Sequence, residues 1–354
     1  MRSPSTGPVE ESSSAHFHPS RWSTPPNGKR PVEGLRMCSA FMHQAVMVDE
    51  VTALLRPVPA GVVLDATVGA GGHAAAVLRT HPGIRVVGID RDPTAVDAAA
   101  AALAPFGDRA VVERARFDDL AEVLRRSAPG EPVSGVLFDL GVSSPQLDEP
   151  ARGFSYRAEA PLDMRMDPGQ SRTAAEVVNA TDEAELARLF AEHGEGRFAR
   201  RIARAVVAAR PLRTTSELAE VVRNAIPAAA RRTGGHPARR VFQAVRVAVN
   251  DELDVLSRAL PEAVSVLAPG GRCLVIAYHS GEDRLVKRAF AQAVSGGCVC
   301  PPGLPCTCGA VPLGHLVFRG ARRPSPAEVA RNRRAESARL RAFERLGPTA
   351  QDRH

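Results

Sequence analysis

The 354-residue chain has no stretch of eighteen or more uncharged apolar residues, which excludes a membrane-spanning helix. Its N-terminus lacks the apolar centre of a secretory signal peptide, so a cytoplasmic location is expected. Lysine is nearly missing: Lys29 and Lys287 stand alone, leaving 44 arginines among the 46 basic residues. With so many alanines beside them this reads partly as compositional bias. The net charge of +7 therefore fits a polyanionic partner without requiring one, and arginine positions carry more information than arginine number. There is no internal repeat. The six cysteines are not expected to form disulfides in a reducing compartment. What is present, 44% hydrophobic residues over this length, suffices for a sizeable core and about two domains.

Residues 1–36 mix Ser, Pro, Gly and His without periodicity and are expected to form a disordered tail. Met37 and Met42 follow this tail, so the true start of translation is open. From Asp49 onward, short Val/Ile/Leu runs alternate with Ala-rich amphipathic segments, the pattern of βα units feeding a parallel sheet. Strands are predicted at 62–67, 85–90, 110–113 and 133–140, with helices at 74–79, 93–103 and 118–126. The alternation stops near residue 146. A Pro/Asp/Arg-rich loop follows, then helices announced by caps, Thr173 with Glu176 and Thr181 with Glu185. A long helix is predicted over 238–267, a strand over 273–278 that resumes the sheet, and a basic helix-rich stretch over 326–346. The resulting division is a sheet domain in two parts, 37–146 and 241–354, with a helical insertion at 147–240.

The first predicted strand ends in Asp65-Ala-Thr-Val-Gly69-Ala-Gly71-Gly72-His73 and enters a helix. Glycine supplies the tight turn and the close backbone approach a nucleotide needs. Asp90 ends the next strand, about twenty residues on, where a carboxylate can accept from ribose hydroxyls. Gly69, Gly71 and Ala74 also satisfy the looser G-x-G-x-x-A form, so an NAD-dependent oxidoreductase stays open. The fourth strand ends in Phe138-Asp139-Leu-Gly141-Val-Ser143-Ser144-Pro145-Gln146, a polar mouth beside that loop. Methyl transfer to the amine of a nucleobase needs such a mouth, because the lone pair is delocalised and oxygen acceptors must hold the amine in line with the donor.

An ordered string of motifs carries a wider resemblance: Asp65 to His73, Asp139 to Gln146, Gly153-Phe-Ser155, Pro161-Leu-Asp-Met-Arg-Met-Asp167, His236-Pro-Ala, Phe242-Gln-Ala-Val-Arg246, Val249-Asn-Asp-Glu-Leu253 and His279-Ser-Gly-Glu-Asp-Arg284. Over residues 42–344 the chain resembles the bacterial 16S rRNA cytosine-N4 methyltransferases. It departs from that family's usual glycine, leucine and proline at Ala66, Gly281 and Arg333. The resemblance implies a Rossmann-like class I S-adenosylmethionine methyltransferase sheet with an inserted helical domain, S-adenosyl-L-methionine as cofactor, and a decoding-centre cytosine of 16S rRNA in the small ribosomal subunit as target. It implies cofactor contacts from Gly71, Gly72 and His73, from Asp90 at the ribose, from Phe117 beside the adenine, and from Asp139 and Gln146 near the methionine end. Asp139 is the candidate catalytic residue. A non-catalytic RNA-binding assembly factor is the second alternative.

Within the insertion, Arg197, Arg200, Arg201 and Arg204 share one helical face and Phe198, Ile202, Ala205 and Val206 the other. That arginine face either meets phosphates or is simply solvated. Phe154 and Tyr156 are the aromatics nearest the mouth in sequence and can stack on a displaced base or belong to the core. Cys298, Cys300, Cys306 and Cys308 form C-x-C-x5-C-x-C, a set that can take tetrahedral zinc or form a reduced loop; no metal ligand is assigned from sequence.

Overall fold

The Val/Ile-rich runs are buried on both faces, which is what parallel strands sandwiched between helices require. The computed structural model describes residues 45–143, 146, 149–231, 236, 238–301 and 306–347; the expected tail at 1–36 lies outside them. The strands are β1 Gly61–Asp65, β2 Ile84–Asp90, β3 Ala110–Arg114, β4 Val133–Asp139, β5 Leu267–Ala277, β6 Gly314–Leu316 and β7 Arg339–Arg345. They form one sheet in the order β3-β2-β1-β4-β5-β7-β6. The pairings from β3 through β5 are parallel, and β7 runs antiparallel to both β5 and β6. This departs from the all-parallel 3-2-1-4-5-6 order of dinucleotide-binding folds by the reversed strand inserted before β6. The sheet is Rossmann-like, as the resemblance to class I methyltransferases implies.

Helices cover both faces. Alternate strand residues point to opposite sides, so Val62, Leu64, Val136 and Phe138 pack with α4 (Leu120–Ser127) and with Leu256, Leu260 and Phe290, while Val63, Val86, Leu137 and Ile276 pack with α1 (Val48–Leu55) and α2 (Gly72–Thr80). Helix α3 (Pro93–Leu103) starts on Asp92, whose carboxylate accepts from Thr94 N–H, with Pro93 at the first turn.

Between β4 and β5 the chain builds a second core. Helices α5 (Ala174–Ala180), α6 (Glu183–Phe190), α7 (Ala199–Ala208), α8 (Thr215–Ala225), α9 (Ala228–Arg231) and α10 (Ala238–Asn250) stand here. Phe154, Leu186, Phe190, Ile202, Val206, Leu218 and Phe242 are among the buried residues of this cluster, which extends past residue 240 to Val249 because α10 contributes its apolar face.

Three expectations are corrected. The single helix at 238–267 is two helices, α10 and α11 (Glu252–Ser265), because Asp251 is left-handed (φ 51°); Asn250 fixes the break by donating to Met164 O and Arg246 O and accepting from Met166 N–H. Asp182, not Thr181, caps α6, accepting from Glu185 N–H at 2.8 Å. The basic stretch at 326–346 holds one short α-helix and a 3₁₀ turn at 333–337, and its end is β7: Leu340 is buried between partly exposed Arg339 and Arg341, and Ala342 and Phe343 are buried after them, a strand pattern that the arginine content obscured. The capping box of Thr173 and Glu176 is present. Helix α12 (Ser280–Ser295) follows β5. No helix among the described residues is long and apolar enough to cross a membrane.

Candidate active site

The strand order reverses between β1 and β4, and a ligand crevice is expected outside the carboxyl ends of strands at such a point. A cleft of about 430 Å³ opens there, of the size small-molecule and cofactor sites have. Three carboxylates end the strands around it: Asp65 on β1, Asp90 on β2 and Asp139 on β4. Burial pushes Asp65 up to about 6, opposed by His73 and by the Thr67 N–H, and one of its oxygens, Oδ2, is buried without a partner. Burial likewise pushes Asp90 up to about 6, against backbone donors from Asp92, Gly69 and Arg91; Gly69 N–H reaches Oδ2 at 3.1 Å and Asp92 N–H reaches Oδ1 at 3.0 Å. Asp90 thus holds the glycine loop in place while lining the cleft.

The glycines divide the work of the turn. Gly69 (φ 52°) lines the cleft, and a side chain there would meet nothing nearer than Thr67 O at 3.9 Å. Gly71 (φ 81°) faces the other way, where an added Cβ would lie 3.4 Å from Leu103. Its role is the turn and the packing of α2 on α3. Gly72 and His73, the first residues of α2, line the cleft.

Asp139 is tied on three sides. Its N–H donates to Thr67 Oγ1 at 2.7 Å, its Oδ1 accepts from the Tyr278 hydroxyl at 2.7 Å, and its Oδ2 lies 3.7 Å from His73 Nδ1. His73 is buried with Nε2 2.8 Å from the Val46 carbonyl. A carbonyl only accepts, so Nε2 carries a proton and Nδ1 faces the carboxylate. Burial raises the Asp139 carboxyl, with His73 and Tyr278 pulling it back. Tyr278 itself is raised well above its usual value by burial and by Asp139, so its hydroxyl stays a donor.

Gln146 does not point a free amide into the cleft. It is buried, donates from Nε2 to Asp92 Oδ2 at 2.9 Å and accepts Ser143 N–H at 3.0 Å, propping the loop after β4. Phe117 lines the cleft and packs edge-on against Phe138, centroids 5.7 Å apart. Phe154 is buried in the helical core, and Tyr156, half-buried, stacks on His236 with centroids 4.5 Å apart.

Sequence reasoning gave no role to Tyr278, Thr67 or the charged group at the far wall. There Arg246 grips Glu252 with two bonds of 2.8 and 2.7 Å. Burial pushes Glu282 up, but His279, Arg246 and the Tyr278 N–H outweigh it and hold the carboxyl below its ordinary range. Glu252, His279 and Glu282 have the spacing of a cation site; Arg246 already supplies the positive charge. The sequence signals for this wall were the motifs Phe242 to Arg246, Val249 to Leu253 and His279 to Arg284, which named residues without naming partners.

The donor set suits a nucleoside sulfonium. Carboxylate acceptors and a glycine turn at a helix start stand at one end, Phe117 with Val255 and Leu256 gives an apolar wall for a purine, and Ser143 Oγ, buried without a partner, also lines the cleft. Comparison with known proteins agrees. The MraW methylase family matches residues 40–346. Proteins described as ribosomal RNA small subunit methyltransferase H are similar over nearly all of their length: that of Thermobifida fusca is 52% identical over 315 residues, covering 86% of this chain and 93% of its own, and that of Heliobacterium modesticaldum is 49% identical over 311 residues, covering 86% and 99%. Among solved structures, an rRNA methylase from Streptococcus thermophilus aligns with a TM-score of 0.38 at 11% identity, covering 84% of this chain and 95% of that one. The chain therefore belongs to the MraW methylase family of S-adenosylmethionine-dependent methyltransferases.

Proposed function

We propose that this methyltransferase acts on the exocyclic N4 amine of a cytosine in 16S rRNA of the small ribosomal subunit. The observation that carries the reading is the position of Asp139, a carboxylate fixed by Tyr278 and Thr67 at the mouth of the cleft. The description of the relatives as small-subunit rRNA methyltransferase H supports the RNA class. Bound S-adenosylmethionine supplies an electrophilic sulfonium methyl. Asp139 accepts an amine N–H and aims the nitrogen along the line of displacement; a strong base is not needed, since the proton can leave to water after transfer. Gly72, His73 and Asp90 hold the cofactor's polar parts and Phe117 its purine, while Gln146 keeps the loop after β4 in shape. Incubation of the full chain with small ribosomal subunits and methyl-labelled S-adenosylmethionine should place the label in N4-methylcytidine. Subunit binding without labelled RNA would favour an assembly factor, and label on another nucleoside would overturn the target.

The ribose assignment has its own test. Asp90→Ala should weaken S-adenosylmethionine binding by about 1 to 3 kcal/mol, the usual size for removing a hydrogen bond to a charged group. Calorimetry reads this directly, and unchanged affinity would remove Asp90 from the ribose.

The helical region is assigned the RNA. On α7, Arg200, Arg201 and Arg204 are exposed, with Arg197 just before the helix, while Ala199, Ile202, Ala203 and Val206 are buried beneath them. Arg204 Nε is 3.6 Å from Glu183 Oε1, an exposed pair of little weight. Replacing Arg197, Arg200, Arg201 and Arg204 with glutamine should lower the salt dependence of RNA binding by roughly 0.7 to 0.9 in log–log slope for every phosphate no longer neutralised. Filter binding across a salt series measures it. An unchanged slope would leave the four as solvated surface.

A further inference from the structure

The connection between α12 and β6 has little to order it. Among its described residues, Val299 and Val311 are 86% and 63% exposed, and no charged side chain occurs from Gly296 to Leu313. Fixing each residue costs about 1 to 2 kcal/mol of backbone entropy, and among the described residues of 296–312 no side chain is buried to offset it. The base is pinned, with Leu313 N–H donating to Ala293 O at 2.9 Å. Above that base four thiols converge. Cys298 and Cys308 Sγ each lie 3.5 Å from Cys306 Sγ and 3.6 Å from one another, and with Cys300 all four sulfurs fall within 4.8 Å of each other. None is paired in a disulfide.

Four thiolates about 2.3 Å from a tetrahedral ion sit roughly 3.8 Å apart, close to the separations seen. A backbone donor also turns toward the sulfurs: Thr307 N–H donates to Cys300 Sγ at 3.4 Å. Such a donor stabilises sulfur that carries negative charge, and this loop offers no basic side chain to balance it.

We propose that Cys298, Cys300, Cys306 and Cys308 bind one Zn²⁺ as a closed tetrathiolate site that fastens the α12–β6 connection. Each thiol gives up its proton as its Zn–S bond forms, nothing is oxidised or reduced, and no coordination position is left for a substrate, so the ion is structural. The site is separate from the methyl-transfer cleft: none of the four cysteines lines it. The proposal is independent of which RNA is methylated. The full chain, purified under reducing, anaerobic conditions from zinc-supplemented cells, should carry about one zinc per chain by elemental mass spectrometry. Chelator-stripped full chain titrated with Co²⁺ should show sulfur-to-cobalt charge transfer and the intense visible bands of tetrahedral coordination. Cys306→Ser with Cys308→Ser should hold less than about a tenth of an equivalent, while Cys38→Ser keeps its zinc. Zinc-free wild-type chain that gives only octahedral cobalt spectra, or a double variant that retains its zinc, would overturn the site. The cobalt result needs no variant to fold.

Discussion

Asp139→Ala is expected to slow single-turnover methylation of small ribosomal subunits more than about a hundredfold at saturating S-adenosylmethionine, with the fold intact. The expected rise in barrier is roughly 3 to 4 kcal/mol, the size found when one preorganised polar group facing the reacting atoms is removed. The carboxylate is preorganised in this sense: Tyr278 fixes one oxygen, His73 stands beside the other, and Thr67 anchors the backbone. Tyr278→Phe removes only the tether and leaves the acceptor, so its effect should be smaller, about 0.5 to 1.5 kcal/mol. If Asp139 instead anchors the methionine end of the cofactor, excess S-adenosylmethionine restores the rate of Asp139→Ala and KM alone rises. A near-normal rate at saturation would take Asp139 off the reacting groups. Circular dichroism and melting of both variants separate loss of alignment from loss of structure.

What the sequence reveals here is what short stretches of chain determine. The turn from Asp65 to His73, the carboxylate ending β2 and the mouth after β4 are each built within one βα unit, and residue type and spacing suffice to place them. The partner of Asp139 is another matter. Tyr278 is 139 positions away and reaches it only because β4 and β5 are neighbours in register, Asp139 opposite Ile276. No local pattern encodes that pairing. Gln146 is similar: its motif places it at the cleft, which it lines, but gives no hint that its amide is held by Asp92 and Ser143. The break at Asp251 was hidden for a different reason. A left-handed residue is expected of glycine, and here an aspartate adopts it while Asn250 gathers the backbone groups of a distant loop. In β7, Arg339, Arg341 and Arg345 disguised a strand whose Leu340, Ala342 and Phe343 are core.

Asp92→Ala should be the most destabilising single change near the site, by about 3 to 5 kcal/mol. Asp92 is 1% exposed and serves three elements at once. Its Oδ1 caps α3 through Thr94 N–H at 3.1 Å; its Oδ2 accepts from Gln146 Nε2 at 2.9 Å and from Arg152 Nη2 at 3.0 Å. The cap alone is worth about 1 kcal/mol. The larger loss is the charge left behind, because Arg152 is itself mostly buried and removing one partner of a buried pair costs about 3 to 5 kcal/mol. Arg152 keeps the carbonyls of Arg165 and Met166, which places the expectation at the lower end and a fall in Tm at roughly 5 to 10 °C. Gln146 also loses its anchor, so the loop carrying Ser143 should loosen and cofactor affinity should fall with stability. Asp92→Asn retains an acceptor for the cap but not the negative charge, and should lie between. Denaturant titration of the three proteins gives the ordering; a loss under about 1 kcal/mol for Asp92→Ala would mean that water takes over the Arg152 guanidinium and that the bridge among α3, the β4 loop and the helical region is not what holds them.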